Sequence, residues 1–233
     1  MKTKIVSFGD SFVFGSELKN NHDGQKSWIG LAAKDIGVEY VTFSQPGCGN
    51  ENIARQVLSY FEQNPGHDVL AIINWTWAIR YDFYHIGTEN WFTLGPTCVP
   101  GKLEDKLPPD EAHRVIDFYR DYLGNSTIWD RWRSLQAMYV TQCYLKNKGI
   151  TSIQTHMDFE IFDQTFHSPE YIKELQRLVK QEVVDFEGLS FLDWSWKNGF
   201  MVTQPGLHPL EDAHRAAADL WKEKYAEIME LQS

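Results

Sequence analysis

The chain has only three cysteines, at positions 48, 98 and 143, an odd count whose spacings match neither a zinc site nor a redox pair. A disulfide framework is excluded, and the thiols read as free, buried side chains. Basic residues are scarce: 22 Lys and Arg against 32 Asp and Glu leave a formal charge of −10. That balance argues against a surface that wraps a nucleic-acid backbone, which needs clustered Lys and Arg to neutralise phosphates. No apolar run approaches the roughly 18–20 residues of a membrane span. The first residues lead into only Ile5-Val6-Ser7-Phe8 before polar sequence resumes, too short for a secretory leader. The expectation is a cytoplasmic protein with no membrane or nucleic-acid partner. Glycine/serine linkers, proline-rich tracts and internal repeats are also missing, so the 233 residues predict one domain over residues 1–233. Aromatic residues are plentiful, with nine Trp. They serve a ligand cleft and a packed core equally well.

Apolar periodicity gives the order of elements. Lys4 to Phe8 reads as a strand that ends at Gly9-Asp10-Ser11, and Trp28 to Ile36 repeats apolar residues at helical spacing up to Gly37. Val38 to Phe43 alternates as a strand and stops at Pro46-Gly47-Cys48-Gly49-Asn50, after which Ile53 to Phe61 is amphipathic and helical. Asp68 to Asn74 is the continuous apolar run of a strand buried on both faces. Residues 81–123, rich in aromatics, Gly and Pro, form an insertion suited to a lid or side wall. Then follow a helix from Thr127 to Lys148, a strand from Thr151 to Met157, a helix from Tyr171 to Val184, a last strand from Leu189 to Asp193 and a closing helix from Glu211 to Leu231. Such alternation predicts a mostly parallel sheet flanked by helices. Ligands of these sheets sit beyond the carboxyl ends of the strands, where Ser11, Gly47, Asn74 and Asp193 are expected to meet.

Four segments there carry chemistry. Ser11 follows the first strand directly, where a turn holds its hydroxyl at the rim, although serine also serves turns and caps for local reasons. Gly47 lets the backbone present an N–H without a Cβ in the way, and Asn50 is positioned as a helix N-cap. Asn74 and Thr76 offer an amide or a hydroxyl to a developing oxyanion. His208, in Pro205-Gly206-Leu207-His208-Pro209, is the candidate base for a serine hydroxyl, with His214 as competitor. Neither a metal nor an organic cofactor is called for.

Taken in chain order, Gly9-Asp10-Ser11, Pro46-Gly47 with Asn50, Asn74 to Thr76, and His208-Pro209 resemble the four blocks of SGNH (GDSL-like) serine hydrolases, across nearly the whole chain. The resemblance implies a three-layer α/β/α sandwich with a flavodoxin-like sheet. It implies an ester hydrolase working through an acyl-enzyme, with Ser11 as nucleophile, His208 as base, and an oxyanion hole from Gly47 and either Asn74 or Thr76. The substrates it implies are small-molecule or carbohydrate esters, O-acetyl and short acyl esters among them. One departure stands out: the acid three residues before the catalytic histidine falls on Pro205. Asp193 is the substitute by location, a backbone carbonyl acting in a dyad is the second possibility, and Glu211 paired with His214 a third. The same loss also fits an SGNH-like scaffold without catalysis, serving as a binding or assembly module. A flavodoxin-like phosphate binder at the 47–50 turn is the weakest alternative.

Overall fold

The computed structural model describes residues 4–66, 68–96, 103, 106–124, 127–164, 167–204 and 207–230. Cys98, Pro205 and Gly206 lie outside them. In chain order the elements are β1 (Lys4–Phe8), α1 (Ser11–Phe14), α2 (Trp28–Asp35), β2 (Glu39–Thr42), α3 (Asn50–Gln63), β3 (Val69–Trp75), β4 (Tyr81–His85), β5 (Asn90–Leu94) and α4 (Pro109–Phe118). A π-helical turn (Tyr119–Leu123) prolongs α4, and α5 (Thr127–Asn147), β6 (Ser152–His156), α6 (Glu170–Lys180), α7 (Phe191–Lys197) and α8 (Glu211–Glu230) complete the chain.

β2, β1, β3 and β6 form, in that order, a sheet in which every pair is parallel. Alternation along β1 and β3 assigns the two faces. Ile5, Leu70 and Ile72 pack with Trp28, Ile29, Ala217 and Trp221 of α2 and α8. Val6, Phe8, Ala71, Ile73 and Trp75 pack with Ile53, Leu135 and Ile172 of α3, α5 and α6. The result is an α/β/α sandwich, as the alternating pattern predicts. The chain leaves β1 for β2 on one side and returns to β3 on the other, so the topological switch lies at the carboxyl end of β1, where such sheets bind ligands.

Two expectations change. The segment 189–193 does not form a strand; α7 starts at Phe191. Buried Phe191, Leu192, Trp194 and Ser195 follow helical spacing, and Ser190 caps the helix by accepting the Asp193 N–H. Cys143 is exposed, whereas Cys48 is buried. Residues 81–123 contribute the antiparallel hairpin β4–β5 and α4, which share a small core of Phe92, Leu94, Leu107, Ala112, Ile116 and Tyr119. Among the described residues no helix is long and apolar enough to cross a membrane.

Candidate active site

β1 delivers the chain to a tight turn. A Cβ on Gly9 would stand 2.5 Å from Val13 Cγ2 and 3.1 Å from the Asn74 carbonyl oxygen, so glycine is needed for this close approach. Asp10 caps α1, its Oδ1 accepting the Phe12 N–H at 3.0 Å. Ser11 is thus the first residue of a short helix at the switch point. Opposite it, a bridge between Val202 and Pro209 and paired bonds between Thr203 and His208 hold the histidine loop: Thr203 N–H donates to the His208 carbonyl at 2.9 Å, and His208 N–H donates to Thr203 Oγ1 at 3.1 Å. His208 Nε2 stands 2.8 Å from Ser11 Oγ, across 197 positions of sequence. The Phe12 ring, 4.9 Å from the imidazole centroid, supports its plane.

The other ring nitrogen faces a group the sequence did not single out. Glu17 Oε1 lies 3.2 Å from His208 Nδ1, within ion-pair distance. The carboxylate oxygen is off the N–H axis, so the buried Nδ1 makes no aligned hydrogen bond among the described residues. Asp193, proposed for this position, is not there. Its Oδ2 accepts the Ser190 hydroxyl at 2.6 Å at the start of α7, and no ion pair joins it to His208. His214 is also engaged elsewhere, being 1% exposed, with Nδ1 accepting the Trp28 N–H at 3.0 Å at the start of α2. Burial pushes its pKa down to about 3, so the ring is a neutral acceptor. Glu211, its partner in the alternative reading, accepts the Lys19 N–H.

The region expected to supply oxyanion donors is a polar network. Gly47 has φ +81°, a left-handed conformation that suits glycine, and neither its N–H nor that of Ser11 has an acceptor among the described residues. Asn50 is the first residue of α3, with Gly49 as N-cap. Its side chain is spent, accepting the Thr76 N–H at 2.8 Å and donating to the Thr76 carbonyl and Ser134 Oγ, both at 3.0 Å. Asn74 shares the sheet face of Leu70 and Ile72; its Oδ1 accepts the Thr155 hydroxyl, and its buried Nδ2 has no partner among the described residues. Thr76 donates its hydroxyl to Asp10 Oδ2 at 2.6 Å. Arg80 completes the cluster, its Nη1 within 2.8 Å of Asp10 Oδ2, 2.7 Å of Thr76 Oγ1 and 3.0 Å of the Cys48 carbonyl. Its Nε and Nη2 have no acceptor among the described residues.

The hairpin closes the far side of the Gly47 turn. Buried Asp82 of β4 accepts the N–H groups of Gly49 and Asn52 at 3.0 and 2.8 Å and the Thr93 hydroxyl. Burial raises the Asp82 pKa, and these bonds oppose the rise. The start of α3 therefore already holds an anion of the protein itself, which leaves the phosphate-binding reading without its site. A cleft of about 280 Å³ lies between this turn and the hairpin, lined by Gln45, Gly47, Asn52, Trp91 and Lys106 among others. Among the aromatics near this turn, Trp75 is fully buried core, whereas Tyr84 and Trp91 form an exposed pair, with Arg55 stacked on Trp91 at 4.1 Å. A larger cleft, of about 410 Å³, is lined by Phe162, Gln176 and Lys180, none of which belongs to this network. Among the described residues no cluster of His, Cys, Asp or Glu is arranged to hold a metal ion.

No protein-family sequence model matches the chain, and comparison with curated proteins gives no match. Solved structures do resemble it. A protein described as lipolytic, of the G-D-S-L family, from Desulfitobacterium hafniense superposes with a TM-score of 0.50 at 12% identity, over 95% of this chain and 98% of that one. The psychrotrophic esterase EstA of Pseudoalteromonas gives 0.50 at 11% identity, over 99% and 100%. A carbohydrate esterase family 2 enzyme of Corynascus thermopiles, which also carries a carbohydrate-binding domain, gives 0.51 at 15% identity, over 97% of this chain and 66% of that one. The fold is the SGNH α/β/α fold of the G-D-S-L proteins.

Proposed function

We propose that the protein is an ester hydrolase in which Ser11 attacks an acyl carbonyl and His208 takes its proton. The observation that carries this reading is the 2.8 Å contact between His208 Nε2 and Ser11 Oγ, at the topological switch point of an SGNH fold. A hydroxyl is a weak nucleophile until a base removes its proton in step with attack. The contact has the length for that transfer. The negative charge then forming on the carbonyl oxygen falls to the unspent N–H groups of Ser11 and Gly47. As the ester bond breaks, the imidazolium gives that proton to the departing alcohol; water, deprotonated by the regenerated imidazole, then attacks the acyl-Ser11 and releases the acid.

For the third oxyanion donor, the contacts favour neither of the two side chains named from sequence. The Thr76 hydroxyl is committed to Asp10, and the free amide of Asn74 belongs to a residue 1% exposed. Arg80 has unspent donors and stands against both Asp10 and the Gly47 turn. Small-molecule or carbohydrate esters, O-acetyl sugars included, are the proposed substrates. Exposed Trp91 beside the cleft supports a sugar ring stacking there, since such rings present C–H groups to an aromatic face.

Incubation with a fluorophosphonate and mass mapping of the adduct tests the reading. Modification of Ser11, lost in His208→Ala, is the expected result. A protein that stays unmodified at Ser11 while folded would overturn the assignment and leave the non-catalytic binding module.

A further inference from the structure

We infer that Glu17 is the acid that orients and charges His208, in place of the carboxylate missing at position 205. The inference rests on the proposed role of Ser11 and His208. For Nε2 to accept the serine proton, the ring proton must reside on Nδ1, and a buried N–H requires an acceptor. Among the described residues Glu17 is the carboxylate within ion-pair distance of that nitrogen.

The backbone is built to bring it there. Gly15 at φ +72° and Glu17 at φ +70° both adopt the left-handed conformation, which a glutamate takes only under constraint from its surroundings. The constraint is visible. The Ser16 N–H donates to the Ser11 carbonyl at 2.9 Å, and Asn21 Nδ2 donates to the carbonyls of Phe14 and Gly15. Leu18 is buried, and the Lys19 N–H donates to Glu211 Oε1 at 3.1 Å. That last bond ties the loop to the first turn of α8, just after His208. Nucleophile and acid thus sit on one short stretch of chain, at the start of α1 and in the loop after it, six residues apart, with the histidine brought to both from the far end of the chain.

In the reaction the Ser11 proton moves to Nε2, the Nδ1 proton stays on the ring, and the Glu17 carboxylate faces the resulting cation without taking a proton. A turn of this half-exposed side chain would bring its oxygen onto the N–H axis. Such alignment commonly tightens only once substrate is bound. The other charges around the ring are accounted for. Glu211 is held by the Lys19 N–H, with Lys19 and Lys26 beside it. His214 is buried and neutral, and Asp10 is paired with Arg80.

The test compares the intact protein with Glu17→Gln and Glu17→Asp across pH 5–9. It uses the rate of fluorophosphonate modification of Ser11, steady-state hydrolysis of p-nitrophenyl acetate, and nitrogen NMR of the His208 ring. In Glu17→Gln, kcat should fall about 10²-fold or more with KM nearly unchanged, and the acidic limb of the profile should move to lower pH, because a carboxylate favours the protonated ring. The amide can also donate to Nδ1, so the NMR should show the wrong tautomer, and Glu17→Asp should recover part of the rate. A folded Glu17→Gln protein with the parent's rate, acidic limb and tautomer would overturn the role of Glu17 while Ser11 stays labelled. Absence of labelling in the parent itself would overturn both this inference and the reading it rests on.

Discussion

Arg80 Nη1 lies 2.8 Å from Asp10 Oδ2, and the carboxylate it meets is fully buried. Through this pair the residue just before β4 grips the residue that caps α1. The same guanidinium reaches the Cys48 carbonyl, so three segments that are distant in sequence are held at one point. A buried ion pair contributes little over an apolar substitute, but removing one partner strands the other charge.

Arg80→Ala should therefore lower stability by about 3–5 kcal/mol, seen as a reduced denaturant midpoint with the slope unchanged. Arg80→Ala combined with Asp10→Asn should recover part of that loss, since the stranded charge is gone. A double variant whose loss equals the sum of the losses of Arg80→Ala and Asp10→Asn alone would mean that the pair carries no coupling. Arg80→Lys should keep the fold better than Arg80→Ala yet slow Ser11 modification, because an ammonium lacks the spare donors of the guanidinium fork.

Ser11→Ala and His208→Ala should each abolish ester hydrolysis to a similar degree, and the double variant should lose no more than either alone, because the two groups act as one unit. The melting temperature of Ser11→Ala should stay close to the parent's. A Ser11→Ala protein that retains activity would move the nucleophile elsewhere.

His214→Ala should act on stability rather than chemistry. It removes the acceptor of the Trp28 N–H and leaves a void beside Phe191, whose ring lies 5.1 Å away. A loss of about 2–4 kcal/mol follows from an unpaired buried donor plus a cavity. With the folded-state pKa pushed down to about 3, the unfolded chain takes up this proton first. Stability from His214 is therefore lost progressively as pH falls from about 6.5 toward 3. The variant should show a flatter decline over that window in thermal melts, and labelling of Ser11 in the remaining folded protein should persist.

Asp158 should act in the opposite direction. It is 3% exposed and accepts the Ala78 and Glu160 N–H groups. Burial nevertheless raises its pKa to about 6. The folded state then holds a proton that the unfolded state has released, so this group's contribution to stability falls as pH rises from about 4 to 6. Asp158→Asn should remove that component from the pH dependence of the melting temperature, at the cost of one backbone hydrogen bond. An unchanged pH profile in the variant would show that Asp158 titrates alike in the folded and unfolded chain.

Much of this was legible along the chain. The alternation of apolar strands and amphipathic helices determined a parallel sheet with two helical layers, because each period admits only one element that can bury its apolar face. Gly9-Asp10-Ser11 and His208-Pro209 stood at element boundaries, which set their place at the rim. The segment 189–193 misled because a short apolar run suits strand and helix alike, although Ser190 three residues before Asp193 was a helix-start signal in plain view. Tertiary structure alone decided that Glu17 rather than Asp193 faces His208, that His214 caps α2, and that Arg80 and Asp82 hold the turns around Ser11. Each of these is a contact between side chains or backbone groups far apart in the chain, where the geometry follows from how the layers pack and leaves no periodic trace in the local sequence.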